Sequence, residues 1–223
     1  MSSAQAARTR ASARRERERD IVAATRALFD ERGMQDAPIE DIAAAAGINK
    51  ALIYRHFDSK EDLFVTTIVS YLRELAERLD GVERDKGPAD QLADGWERFV
   101  DYCLEHPAFV DSSLSLLRRP MSELEQGVSD AVLFRLAQAM AECLGRLSRI
   151  LARGANEGEF AIDDPDFAAN HLYTQTLGAM HLARIGIGVR RSEAGVPEVF
   201  AIDPGDVARA CVQATLAAVE PRG

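Results

Sequence analysis

Apolar side chains recur along this chain at three- and four-residue spacing, the period of an amphipathic helix, and no stretch shows the strict alternation of a half-buried strand. The pattern predicts an all-α protein of about nine helices. The first runs from about Ser12 to Arg32, with Ile21, Ala24 and Leu28 beside Val22 and Phe29, and Gly33 follows as a stop. A short second helix covers Ile39 to Ala46, with Pro38 where a first helical residue would sit. Gly47 breaks it, Asn49 caps a third helix over Lys50 to Phe57, and Ser59 caps a fourth with Asp62 in its first turn. Leu63, Phe64, Thr67, Ile68, Tyr71, Leu72, Leu75 and Leu79 trace one face of that fourth helix.

Downstream, residues 81–88 read as a polar connector, and Trp96, Phe99, Val100, Cys103 and Leu104 mark a fifth helix ending near His106-Pro107. A sixth spans Ala108 to Arg118, and Pro120 breaks the chain before one long seventh helix carrying Val132, Leu136, Met140, Leu144, Leu147 and Leu151. Residues 154–165 form a loop. An eighth helix covers about Asp166 to Ile185 and a ninth Asp206 to Val219, and the stretch 186–204 between them reads as a partly mobile connection.

The overall formal charge of −9 argues at first against nucleic acid as a partner, but the charge is divided unequally. Of the 27 Lys+Arg and 36 Asp+Glu, residues 1–60 hold 11 and 9 and the remainder 16 and 27. Residues 8–19 alone contain six arginines and two glutamates. Any phosphate-binding surface therefore belongs to the N-terminal segment; read alone, the arginine-rich arm is equally a solvated tail. The arm has no apolar stretch behind it, so it is not a secretory signal, and no apolar run approaches the roughly 20 residues of a membrane span. Cys103, Cys143 and Cys211 are isolated and odd in number, which suits a cytoplasmic protein without disulfides or a cysteine metal site.

Residues 39–57, IEDIAAAAGINKALIYRHF, read helix, tight glycine turn, helix. A DNA-reading helix must be short, rigid and braced by a second helix so that its outward residues enter the major groove. Ile42, Ala43 and Ala46 supply the packing of the bracing helix, and Ile48, Ile53 and Phe57 the buried side of the reading helix. Lys50, Ala51, Leu52, Tyr54, Arg55 and His56 are then left toward the outside. They offer cations for phosphate or guanine, hydroxyl and imidazole donors for phosphate, and small apolar groups for thymine methyls.

The stretch from about Arg17 to Ile68, above all DIAAAAGINKALIYRHFDSKEDLF (41–64), resembles the DNA-binding domain of the tetracycline-repressor (TetR) family. The resemblance implies that Lys50 and Ala51 read base edges, that Tyr54, His56 and Lys60 grip phosphates with Arg55 beside them, and that Ile53 and Phe57 are core. The chain departs from the family pattern at Pro38, where relatives often place a threonine, and at Ala51-Leu52, where they often have Gly-Thr or Gly-Ser. A cap hydroxyl is lost at the first position and a hydrogen-bond donor at the second. The resemblance also implies a homodimer formed through the last two helices, a palindromic operator, repression by default and release by a small molecule.

The chain thus divides into a helix-turn-helix DNA-binding domain with a basic arm over residues 1–60 and a helical regulatory and dimerisation domain over 61–223. The second part shows no nucleophile–base constellation, phosphate loop, cofactor motif or metal-ligand cluster, so an enzyme is disfavoured. Candidate ligand-contacting residues are the aromatics Trp96, Phe99, Tyr102 and Phe109 and the polar His171 and Gln175 of the eighth helix; those last two suit a subunit interface slightly better. Gly178 and Ala179, with Ala210, Ala214, Ala217 and Ala218, allow close helix approach in a four-helix interface. A DNA-binding regulator that senses no small molecule is the principal rival.

Overall fold

The computed structural model describes residues 3–33, 37–82, 85–193 and 195–221. It is all-α apart from one hairpin, with ten helices among the described residues: α1 (Ser3–Arg32), α2 (Ile39–Ala45), α3 (Lys50–Ile53), α4 (Lys60–Leu79), α5 (Pro88–Glu105), α6 (Pro107–Leu117), α7 (Met121–Gly127), α8 (Asp130–Glu157), α9 (Pro165–Ile185) and α10 (Pro204–Val219). Strands β1 (Ile187–Arg191) and β2 (Pro197–Ala201) pair antiparallel between α9 and α10. The chain forms two compact units, Met1–Tyr71 with Ser115–Ala137 and Leu72–Leu114 with Gln138–Gly223.

In the first unit, Ile21, Leu28 and Phe29 of α1, Ile42 of α2, Ile53 and Phe57, and Leu63 and Ile68 of α4 are all buried. The rings of Phe29 and Phe64 meet edge to face at 5.0 Å. Tyr71 donates to an Asp30 oxygen at 2.9 Å while the Arg26 guanidinium lies 4.0 Å from its ring, fastening α4 to α1. Burial first, and then the Asp30 carboxylate, push the Tyr71 phenol well above its ordinary pKa. Ser59 caps α4 by accepting from the Asp62 amide at 2.9 Å, and its own hydroxyl donates to the Gly127 carbonyl at 3.0 Å. The Asp62 carboxylate in turn accepts from the Ser129 amide at 2.8 Å.

In the second unit, α10 packs on α5 and α9. Trp96, Phe99 and Tyr102 of α5, Phe109 of α6, Leu147 and Leu151 of α8 and Leu177 of α9 form its core. Asp164 and Asp203 cap α9 and α10, each accepting from two first-turn amides, and a proline follows each cap at the first helical position.

Five details differ from the sequence expectations. Helix α1 begins at Ser3, because alanine, arginine and glutamate, all strong helix formers, make up most of the arm, with an Arg14–Glu18 pair four residues apart. The third helix stops at Ile53 and closes with tighter bonds, Arg55 N–H to Leu52 and His56 N–H to Ile53, before Phe57 is reached. The long seventh helix is two helices: Val128 is extended, and the Asp62–Ser129 bond holds the break. Helix α8 runs through Glu157, shortening the expected 154–165 loop. Finally, 186–204 holds the hairpin, ordered by a left-handed Gly186 cap and by the Ile202 amide bonding back to the Gly186 carbonyl. In the polar connector, Glu83 and Arg84 lie outside the described residues, as does Ala194 in the hairpin turn.

Candidate nucleic-acid interface

Helix α2 enters from Pro38, which occupies the cap position just before the first helical residue and offers no side-chain bond; Glu40 and Asp41 place negative charge in its first turn. Asp41 also accepts from Arg32 at 2.9 Å, tying the end of α1 to the start of α2. Gly47 turns the chain at φ +65°, a conformation open to glycine at no steric cost, and the Ile48 amide bonds the Ala43 carbonyl at 2.9 Å. The side chain of Asn49 then accepts from the Leu52 amide at 2.9 Å and starts α3. Ile53 and Phe57 anchor α3 in the core, while Ile48 and Ala46 are half-buried.

That anchoring settles which side chains face out. Lys50, Ala51, Tyr54 and Arg55 are exposed, and Leu52 is half-buried. The Lys50 ammonium lies 2.6 Å from a Glu40 oxygen, and this bond lowers the pKa of Glu40 and raises that of Lys50, so both are ionised at neutral pH. Lys60, the first residue of α4, lies with its ammonium 4.8 Å from the Phe64 ring. His56 does not join the outward set. Its side chain is only 12% exposed and its Nδ1 approaches a Glu18 oxygen of α1 at 3.6 Å, so the imidazole is turned inward against the first helix. Glu18 is shared with Arg14, whose Nε donates to the same oxygen at 2.9 Å. Along α1, Arg14, Arg15, Arg17 and Arg19 are exposed; the side chains of Arg8 and Arg10 lie outside the described ones.

In the second unit, Trp96, Phe99, Tyr102 and Phe109 are fully buried and fill one another's space. Phe99 stacks on Tyr173 at 5.3 Å, Tyr102 meets Phe109 at 5.3 Å, and the Trp96 indole donates to Thr176 Oγ1 at 3.0 Å. The structure does not bring His171 and Gln175 to these aromatics. Both lie on the exposed side of α9, where His171 stacks on Phe167 at 5.9 Å, and Thr174, Gly178 and His181 are exposed with them. Among the described residues no group of three His, Cys, Asp or Glu could hold a metal ion, and no helix is long and apolar enough to cross a membrane.

Residues 21–66, which span the helix-turn-helix, match the family model described as bacterial regulatory proteins of the tetR family. The chain is 28% identical over 162 residues to the HTH-type transcriptional regulator SrpR of Pseudomonas putida, covering 71% of this chain and 70% of that protein. It is 29% identical over 164 residues to the HTH-type transcriptional repressor NicS of the same species, covering 71% of each. The crystal structure of RolR in complex with resorcinol shares the fold, with a TM-score of 0.63 at 20% identity, over 94% of this chain and 90% of that one.

Proposed function

We propose that this chain, whose residues 21–66 match the tetR family model and which is similar to the regulators SrpR and NicS, is a homodimeric repressor of that family that binds a palindromic operator and is released by a small molecule. The observation that carries the DNA-binding reading is the geometry of α3: Ile53 and Phe57 lock the element into the core while Lys50, Ala51, Tyr54 and Arg55 are exposed on its outer side. In this reading Lys50, Ala51 and Leu52 meet base edges, Tyr54, Arg55 and Lys60 meet phosphates, and His56 acts by holding α3 against Glu18 or by turning outward on the DNA.

Dimerisation is supported by the faces of α9 and α10 that the single chain leaves bare. Gly178, Leu182 and Ile185 on α9, and Ala210, Ala214, Ala217 and Ala218 on α10, are all exposed, an apolar and small-residue surface suited to close helix packing. Two copies of α3 one DNA turn apart would read two half-sites, which gives a specificity one copy lacks. NicS, named a repressor, supports repression, and RolR, crystallised with resorcinol, supports a small-molecule ligand. A regulator that senses no small molecule is favoured by a different observation, the closed packing of Trp96, Phe99, Tyr102 and Phe109.

The test is titration of the full-length protein onto DNA fragments flanking its own gene, in the presence of excess competitor DNA. Retention of one fragment at two subunits per site is the expected result; equal affinity for every fragment would contradict the proposal.

A further inference from the structure

The second unit carries a cleft of about 330 Å³, lined on its apolar part by Leu79, Val82, Leu147 and Ile150 and on its polar part by Asp80, Gln91, Arg146, Arg149 and Arg153. The volume lies at the lower end of the roughly 300–1,000 Å³ of small-molecule sites, and apolar and polar side chains line it in nearly equal number, a composition suited to an amphipathic ligand. The three arginines share one face of α8, spaced three and four residues apart. Two of them are already balanced. Arg146 Nε and Nη2 grip both oxygens of Asp80 at 2.7 Å each, and Arg153 Nε donates to Glu157 at 2.8 Å while its Nη1 reaches Gln91 at 3.1 Å. Arg149 uses its Nε on the Gly145 carbonyl at 3.0 Å and has no carboxylate partner among the described residues. Arg149 is exposed, so among the described residues one positive charge is left unbalanced in the lining of this mixed apolar and polar cleft.

We propose that this cleft binds an amphipathic monocarboxylate, whose hydrocarbon part covers Leu79, Val82, Leu147 and Ile150 and whose carboxylate accepts hydrogen bonds from the Arg149 guanidinium. A single unbalanced charge matches a monoanion, and the planar guanidinium fork matches the two oxygens of a carboxylate. A neutral amphiphile would leave Arg149 unanswered, and a phosphate monoester would bring nearly two charges to one. The assignment rests on the small-molecule part of the reading above and names the chemical class of the effector.

The experiment is calorimetric titration of the full-length protein with octanoate, n-octanol and octyl phosphate, with operator release followed in parallel. Saturable octanoate binding at one molecule per chain is expected. Arg149→Ala should weaken it at least tenfold while leaving n-octanol unchanged, and Ile150→Trp, which fills the cleft, should abolish both. Octanoate binding that is absent, that is unaltered in Arg149→Ala, or that is weaker than that of octyl phosphate would overturn the assignment. Arg149-dependent binding that leaves operator affinity unmoved would keep the cleft and overturn the effector role. Octanoate-driven release that persists in both variants would keep the effector role and overturn the cleft.

Discussion

The Lys50 ammonium is held 2.6 Å from the Glu40 carboxylate, so the side chain proposed to read a base begins on a partner from the preceding helix. Both groups are exposed to water, and DNA must exchange one acceptor for another. Glu40→Gln should therefore tighten binding to DNA of any sequence several-fold, since it removes both a competitor and a charge that repels phosphate. Lys50→Ala should instead flatten preference among sequences by roughly tenfold, the scale of one base-edge contact. Anisotropy titrations on matched and mismatched operators separate the two effects. Unchanged selectivity in Lys50→Ala would remove this lysine from the reading set.

The helical arm is expected to act through charge alone. Deleting residues 1–15 removes Arg8, Arg10, Arg14 and Arg15, so the slope of log affinity against log salt should become shallower. An unaltered slope and affinity would make the arm a bystander.

Much of the candidate interface is legible in the sequence because its determinants are local. Gly47, the Asn49 cap and the Ser59 cap each act on amides within five residues, and each sits where the spacing places it. The inward turn of His56 is not legible, since its neighbour Glu18 lies on another helix far back in the chain. The break at Val128 is equally remote in origin, fixed by Asp62 of α4 and by Ser59, which caps that helix. An aromatic stripe at helical spacing marks core and pocket alike, which is why Trp96, Phe99, Tyr102 and Phe109 are candidates in the sequence and packing residues in the fold. The arginine spacing of α8 is visible in the sequence, but its meaning comes from Leu79 and Val82, brought alongside only by folding. The hairpin is hidden by Gly188, Pro197 and the turn glycine Gly195, which interrupt its alternation.

Gly178 offers a direct test of the dimer. A Cβ added there meets nothing within 4 Å and the position is exposed in the single chain, so Gly178→Trp should leave the protomer folded. Across a close helix interface the same ring would overpack, at a cost of about 1–3 kcal/mol or more. The variant should sediment as a folded monomer and lose operator binding. A dimeric, active variant would place Gly178 away from the interface.

The buried thiols predict the alkaline limit of stability. Burial pushes the Cys143 thiol up to about 12 and raises Cys103 and Cys211 as well. Below about pH 9 the thiols are protonated in both folded and unfolded chains and this contribution is fully present. Above it the unfolded chain loses protons that the folded chain keeps, so stability falls by about 1.4 kcal/mol per pH unit for each such thiol until the folded value is reached. Denaturant midpoints measured across this range should fall less steeply in Cys143→Ala. An identical slope would mean that Cys143 titrates normally in the folded protein.

The central claim is that α3 reads DNA sequence in two copies. It is tested most directly by selecting bound sequences from random duplex DNA with the full-length protein. Enrichment of an inverted repeat whose half-sites are centred about one helical turn apart is the predicted result, with that enrichment lost in Lys50→Ala. Recovery of unenriched DNA, or of a single half-site without its inverted partner, would contradict the account.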